Sequence, residues 1–326
     1  MAEQNNELEK IKSIFFQNYT KVATRVRNEA TRLAYYTSSD VAFLILKNKE
    51  IWLRNTMTMN DYMEVEFGLN CLINAYKSDH GKFFQASLNA CFPLISDEIQ
   101  NHFNAWIPAF KRDTFITCFS EHLPEEDKNG RLSMWRAYGG RSGVALIFNN
   151  PPMFLKTQAL AAYSSPVSYF GEAGMASELN EIGKAIESDI DFVRGLGREK
   201  VRDIVFNMFR FAALCSKHPG FQEEREWRVL SSPALQTSEL VPQVVEVVRG
   251  VPQTVLKIKL EDHPDKDVVG LELPQFLDRI IIGPCEYPWV VSRALASILG
   301  EAGVLEPETK IFRGCSRLAL NTSPLL

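Results

Sequence analysis

The stretch Glu224-Arg225-Glu226-Trp227-Arg228-Val229-Leu230 combines four charged side chains with three large apolar ones. Successive side chains of a strand point to opposite faces, so a strand here places Glu224, Glu226 and Arg228 on one face. Arg225 and Trp227 then lie on the other face. Three charges on one face are costly to bury unless they meet a ligand, a partner or water. The stretch therefore predicts a strand that carries the charged wall of a functional site.

The composition is that of a globular chain. It has 326 residues, of which 45% are apolar and 23% charged, a length that allows one large domain or two small ones. The net charge of −4 gives no overall basic field, so a polyanion would have to bind a local patch. The polar, acidic start and the short apolar runs predict a cytoplasmic protein with no membrane contact.

Cysteine and histidine spacing argues against disulfides and zinc. The six cysteines form no C-x-x-C pair, and several lie in apolar runs, as Cys118 does, so we expect reduced and mostly buried thiols. The five histidines show neither H-x-H nor H-E-x-x-H spacing. We therefore expect no zinc site, whereas a metal bound only by carboxylates stays open.

Strand and helix patterns alternate along the whole chain and predict a single α+β domain with helical insertions. The strand candidates are 33–37, 50–54, 114–119, 144–148, 167–170, 225–230, 255–260, 279–282 and 310–312. Ser38, Ser39 and Asp40 are candidate caps for a helix between the first two strands. The predicted division is an N-terminal helical segment at 1–32, the α+β domain at 33–315 with insertions near 61–110 and 175–217, and a tail at 316–326.

Six short motifs follow one another in a fixed order. They are Tyr35-Tyr36-Thr37-Ser38, Trp52-Leu53 with Asn60-Asp61-x-x-Glu64, Cys118-Phe119-Ser120, Met134-Trp135-x-x-Tyr138-Gly139, Glu224-x-Glu226-x-Arg228 and Arg279-Ile280-Ile281-Ile282-Gly283-Pro284. In this order, over roughly residues 33–315, they resemble a large bacterial family known only as a domain of unknown function.

The first motif and the late glutamates also resemble the ADP-ribosyltransferases and the related RNA 2′-phosphotransferases. Those folds carry His-Tyr-Thr or an equivalent near their start, where the first residue contacts the NAD ribose. Tyr35 stands at the position of that histidine. A strand-borne glutamate, often within E-x-E, follows late in the same superfamily. The resemblance implies a split, mixed β-sheet core and NAD as a substrate.

The resemblance also implies a role for each matching residue. Glu226 would be the catalytic carboxylate that stabilises an oxocarbenium-like ribose, and Glu224 would orient or deprotonate the acceptor. Arg228 would hold Glu226 ionised or contact a diphosphate oxygen. The implied NAD-binding residues are Tyr35, Tyr36, Thr37, Asn60, Tyr138 and Arg228. Bacterial enzymes of this kind include toxins that modify RNA, DNA or protein, sometimes with an antitoxin and in phage defence, and the resemblance implies that range of partners.

Two other functions stay open. If Asp61 and Glu64 converged with Glu224 and Glu226, four carboxylates could hold Mg²⁺ for phosphodiester hydrolysis. The other is a non-catalytic interaction module, in which neither NAD nor a metal would shift the melting temperature. Alternating Glu and Arg on an exposed strand face is also typical of a solvated edge with weak ion pairs and no site.

Two further patterns favour structural roles more than functional ones. Trp135 precedes a buried strand and is typical of a core residue, whereas Tyr138 is as well suited to stacking on a ligand. Arg194, Arg198 and Arg202 recur at helical spacing, but interspersed acids favour a solvated helix face over a nucleic-acid contact.

Overall fold

A computed structural model describes residues 2–58 and 62–314 of the chain. The helices are α1 (Ala2–Phe15), α2 (Gln17–Asn28), α3 (Ser39–Asn48), α4 (Tyr62–Lys77), α5 (Asp79–Cys91), α6 (Ile95–Arg112), α7 (Leu132–Tyr138), α8 (Glu172–Ser188), α9 (Ile190–Leu196), α10 (Arg198–Leu214), α11 (Leu273–Phe276) and α12 (Pro288–Glu301). The strands are β1 (Arg32–Ser38), β2 (Glu50–Asn55), β3 (Phe115–His122), β4 (Gly143–Phe148), β5 (Tyr163–Pro166), β6 (Glu226–Ser231), β7 (Gln243–Val248), β8 (Val251–Lys259), β9 (Leu277–Ile282) and β10 (Ile311–Arg313).

The strands form one mixed, open sheet. Its order is β10-β9-β4-β1-β3-β2-β8-β7, and β6 pairs with β3 and β5 beside this path. Within the described part of the chain, β9 and β10 are the parallel pair and the other neighbours are antiparallel. The α+β class and the mixed sheet predicted from the sequence are thereby confirmed. Among the described helices, none has the length and apolar character needed to cross a bilayer.

Strand β3 lies at the fork of the sheet. One of its edges pairs with β1 near Ser120 and with β2 near Ile116, and its other edge pairs with β6 along its length. Ala34 of β1, Ser120 of β3 and Glu226 of β6 therefore lie side by side across three strands. This register brings the tyrosine-rich first motif within one strand of the acidic motif.

The two faces of β3 and β6 pack against different layers. Phe119 and Trp227 lie on the face covered by α3 and α12, among the buried residues of one apolar cluster. Ile116 and Leu230 lie on the opposite face, in a second cluster formed with α1, α4–α6 and α8–α10. Since Glu226 and Arg228 alternate with Trp227, their side chains point to the helical layer.

Several boundaries differ from those that the sequence pattern predicts. Phe16 separates α1 from α2, where a single helix was predicted. The strand predicted at 167–170 lies earlier, as β5, and Ser168 makes only an isolated bridge to Ser216. Ser38 lies at the N-cap of α3 without a side-chain hydrogen bond to that helix. The sequence pattern did not indicate β7, whose residues alternate between exposed and half-buried.

Candidate functional site

A buried ionic cluster lies where β6 begins. The ammonium nitrogen of Lys217 is 2.7 Å from a carboxylate oxygen of Glu64, 2.7 Å from one of Glu224 and 3.2 Å from one of Glu226. Lys217 is 1% exposed and Glu226 is 5% exposed. The glutamates come from α4, from the 3₁₀ turn Pro219–Glu224 and from β6, so the cluster joins the helical layer to the sheet.

Arg228 is the second cation of this cluster. Its Nε donates to Glu226 at 2.6 Å, one Nη donates to the backbone carbonyl of Leu214 at 2.6 Å, and the other Nη donates to Glu64. The guanidinium is fully buried. Because its donors bind protein acceptors, the geometry suits a role in holding Glu226 in place and ionised.

The charges of the cluster set the protonation of its glutamates. Burial on its own raises the pKa of Glu226, but Arg228 and Lys217 outweigh it and lower the pKa to about 2. Burial raises the pKa of Glu64, and the two cations do not fully offset this effect. Glu226 is consequently an ionised carboxylate at neutral pH, held away from bulk water.

Glu224 reaches the cluster by a different route from the one predicted. It ends the 3₁₀ turn, and Arg225 follows with a left-handed backbone (φ +45°), so the strand begins only at Glu226. The prediction that Glu224 belongs to the strand, and shares a face with Glu226 by alternation, is wrong. The two side chains meet because the turn folds Glu224 back onto Lys217.

A cavity of about 40 Å³ lies beside the two glutamates. It is lined by Ala34, Tyr36, Cys118, Phe119, Ser120, Met134, Tyr138, Glu224 and Glu226. The thiol of Cys118 donates to Glu226, and burial raises the pKa of that thiol well above its usual value. Cys118 is therefore a protonated donor, which argues against a thiolate nucleophile at this position.

Of the two adjacent tyrosines, Tyr36 is the one that lines this cavity. Its hydroxyl accepts a hydrogen bond from the backbone N–H of Arg131 at 2.8 Å, and burial raises its pKa to about 12. Tyr35 points to the other face of the sheet, where its ring lies 5.6 Å from that of Phe119. Thr37 is on the same face as Tyr35 by alternation. The structure thus brings Tyr36 to Glu226 and keeps Tyr35 and Thr37 apart from it.

Tyr138 forms the outer wall of the cavity. It is the last residue of α7 and is 39% exposed, the most solvent-accessible aromatic side chain in the lining. Burial of the rest of the ring and the negative charge of Glu224 raise the pKa of its hydroxyl, so this group stays protonated. Of the tyrosines that the resemblance implied, Tyr36 and Tyr138 therefore line the cavity with Glu226, whereas Tyr35 does not.

Trp135 is a core residue, as its sequence context indicated. Its ring meets that of Tyr36 edge to face at 4.8 Å, and its indole N–H donates to the carbonyl of Asn129 at 2.6 Å. A Cβ atom placed on Gly143 would lie 2.9 Å from the Trp135 ring, and the same is true of Gly283. These glycines therefore provide the space that the indole ring fills.

Three side chains of the site carried no clear sequence signal. Arg131 donates to Ser120 and to the carbonyls of Glu121 and Glu223, which fixes the start of α7 against β3 and the acidic turn. Tyr169 accepts the backbone N–H of Glu226 at 2.8 Å. Lys217 comes two residues after the apolar run Phe211-Ala212-Ala213-Leu214-Cys215, and a basic residue so close to an apolar run was the available signal.

The carboxylates converge on a protein cation, and this arrangement does not fit Mg²⁺. Lys217 occupies the point that Glu64, Glu224 and Glu226 share, and its charge takes the place that a divalent ion would need. In residues 2–58 and 62–314, no group of three metal-ligating side chains is arranged to hold a metal ion. The predicted residues Asn60 and Asp61 lie outside the described residues.

The three arginines at helical spacing, Arg194, Arg198 and Arg202, bind acceptors within the protein. Arg198 and Arg202 both bind Glu98, at 2.8 and 3.4 Å, and Arg194 donates to the carbonyl of Ala90 at 2.9 Å. Arg202 also pairs with the interspersed Asp203 at 3.0 Å, whereas Glu98 lies on α6 and was not indicated by the sequence pattern.

Residues 134–229 match the model of a family described as "Protein of unknown function (DUF2971)". The likeness to a domain of unknown function is confirmed for this stretch. The stretch contains Tyr138, Lys217 and all three charged residues of the E-x-E-x-R motif, but neither Tyr36 nor Glu64. No curated protein and no solved structure matches the chain.

Proposed function

We propose that this chain is an ADP-ribosyltransferase that uses NAD as its substrate. The observation that carries the proposal is the meeting of an ionised, buried carboxylate, Glu226, with Tyr36 and Tyr138 around one small cavity. The fork of the sheet, where β1 and β2 separate along β3, is compatible with the split-sheet core of that enzyme class.

The chemistry of glycosidic bond cleavage makes use of such a carboxylate. Breaking the bond between nicotinamide and ribose places positive charge on the sugar, and a fixed negative charge stabilises it without reorganising solvent. Glu226 would supply this charge, and Glu224, in the same cavity wall, would accept a proton from the acceptor. Arg228 is a positioning residue that acts through Glu226. Tyr36, rather than Tyr35, would contact the ribose.

The small volume of this cavity means that NAD could bind only after the site opens. A volume of about 40 Å³ is far below the roughly 300 Å³ at which ligand pockets begin, so a dinucleotide needs an opened site. Tyr138 is the wall that is able to move, because it is partly exposed and ends a helix just before Gly139 and Gly140. Gly140 has a positive φ (+58°), a backbone conformation that glycine adopts at no steric cost.

Release of nicotinamide from NAD tests the proposal. We expect Glu226→Gln to keep the fold and to lower the rate by on the order of 10²-fold or more, because one preorganised charge is lost. Glu223→Gln is the matched control, since Glu223 is an exposed neighbour outside the cavity. Equal turnover in Glu226→Gln and in the native chain would remove Glu226 from the mechanism. Radiolabel carried from NAD onto RNA, DNA or protein would identify the acceptor.

A non-catalytic interaction module is the second candidate. The specific observation that favours it is the internal pairing of the cluster, in which Lys217 and Arg228 already bind all three glutamates. A ligand that binds only the native state must raise the melting temperature. A thermal-shift series with NAD and with Mg²⁺ separates the candidates: a rise with NAD supports the transferase, and no rise with either supports the module.

A further inference from the structure

A second and much larger cavity, of about 800 Å³, lies away from the ionic cluster. It is bounded by α1, α6 and α10, by the segment 152–164 and by Thr117 and Val229 of the sheet. Those two residues face away from Cys118 and Glu226 on their strands. The volume falls within the range of pockets that hold small organic ligands. Most of its lining is apolar or aromatic, as with Phe119, Phe206 and Phe276.

One wall of this large cavity contains a buried arginine without a counter-charge. Arg210 is 5% exposed, and its Nε has no hydrogen-bond partner among the described residues. Its guanidinium has aromatic neighbours: the guanidinium carbon lies 5.4 Å from the ring of Tyr163 and 5.1 Å from that of Phe211. Ring contacts of this kind stabilise a cation by only about 0.5–2 kcal/mol.

The acidic residues of the same wall are engaged elsewhere. Asp203 pairs with Arg202 at 3.0 Å, and Glu9 pairs with Lys12 at 3.0 Å. Burial lowers the pKa of Arg210, and no carboxylate of the described residues offsets that effect. A buried ion that lacks a partner costs several kcal/mol, which is a large fraction of the stability of a typical domain. A ligand with a negatively charged group would supply the partner that Arg210 lacks.

We infer that the large cavity binds an organic anion that has an apolar body, with the acid group on the guanidinium of Arg210. An arginine presents a planar fork of donors that matches a carboxylate or a phosphate with two parallel hydrogen bonds. The phenylalanines of the lining would cover the body of the ligand. Arg27, whose guanidinium lies over the ring of Phe154 at 4.6 Å, adds an exposed positive charge to the same lining. This inference does not depend on the transferase chemistry at Glu226.

Binding of decanoate, decyl phosphate and decanol to the full chain, measured by calorimetry below micelle formation, tests the inference. We expect the two acids to bind at least ~10-fold more tightly than the neutral alcohol, as charge-assisted hydrogen bonds to one arginine allow. The preference between the two acids identifies the acid group. Equal binding of decanol and both acids, or no binding at all, would overturn the inference without any variant.

The variant Arg210→Met tests whether Arg210 is the residue that binds the acid group. In this variant the affinity for both acids should fall by ~10-fold or more while that for decanol stays unchanged. The ligand-free variant should melt at or above the native temperature, because an apolar side chain replaces an unpaired buried charge. Arg202→Met is the control, since Arg202 is on the same helix but outside the cavity lining. Native-like acid binding by Arg210→Met would refute the assignment, and if that variant does not fold, the neutral variant Arg210→Gln applies the same comparison.

Discussion

Glu226 links the stability of the protein to pH, because its pKa differs between the folded and unfolded states. The folded pKa is about 2, against an ordinary value of 4.5, so folding favours the ionised form. The resulting stabilisation, about 3 kcal/mol, is complete above the ordinary pKa and is lost as the pH falls from 4.5 towards 2. The raised pKa of Glu64 acts in the opposite sense, because folding favours its protonated form.

Urea unfolding between pH 7 and pH 2 measures this dependence. We expect the free energy of unfolding of the native chain to fall below about pH 4.5, and to fall less steeply in Glu226→Gln, which has no proton to gain at this position. Parallel pH profiles for the two proteins would show that Glu226 is not held ionised by Lys217 and Arg228.

At the scale of single residues, the sequence indicated the acids of the site better than their partners. Glu224, Glu226 and Arg228 are recognisable because they are charges beside apolar neighbours. Tyr35 and Tyr36 have the same side chain at adjacent positions, so no property of the chain distinguishes which of them faces the acids. That choice depends on the register of β1 against β3, which is a tertiary contact.

Gly143, the first residue of β4, packs closely against the C-terminal end of α7 and the ring of Trp135. Gly143→Ala would place a methyl group 2.9 Å from the backbone of Gly139 and from the ring of Trp135, so one of the two must move. We expect a loss of about 1–3 kcal/mol in the free energy of unfolding, as overpacking commonly causes. The shift of Trp135 would also disturb Tyr36, which packs against it edge to face.

Gly195→Ala provides the comparison for that variant. A methyl group there meets nothing within 4 Å, and alanine is a better helix former than glycine within α9, so stability should rise by up to about 1 kcal/mol. Urea unfolding of the two variants measures both effects. Similar stabilities would mean that the space beside Trp135 is not limiting.

At the scale of elements, the sequence located most strands but not their ends near the site. Strand β4 and the last three residues of β9, Ile280 to Ile282, are buried runs of β-branched and other apolar residues, which local pattern identifies well. The boundary between Glu224 and Glu226 depends instead on a left-handed residue, Arg225, which nothing in its side chain requires. Edge strand β7 has no buried residue, and its polar residues Gln243 and Glu246 are three apart, so its sequence lacks the apolar–polar alternation from which half-buried strands are predicted.

At the scale of the whole molecule, the sequence did not predict which helices and strands pack against one another. Glu64 and Lys217 are far apart along the chain and meet only because α4 packs beside α10 in the helical layer. The alternating strand and helix pattern gave the fold class, since each element must bury an apolar face. Which faces meet is decided by contacts between distant elements, and a local pattern contains no information about them.

The first two helices, α1 and α2, contribute fully buried side chains to the two apolar clusters of the described residues. Phe15 of α1 is fully buried in the cluster formed with the helical layer, and Val26 of α2 is fully buried in the cluster on the other face. Phe15→Ala should therefore destabilise the whole chain by about 3–5 kcal/mol within a single unfolding transition, because deletion of a buried ring leaves a cavity. Leu8→Ala, at a position that is 41% exposed, should change stability by no more than about 0.5 kcal/mol. If Phe15→Ala left the main transition in place and removed only a small early one, residues 1–32 would fold as a separate unit, and the boundary predicted at residue 33 would be a real division of the molecule.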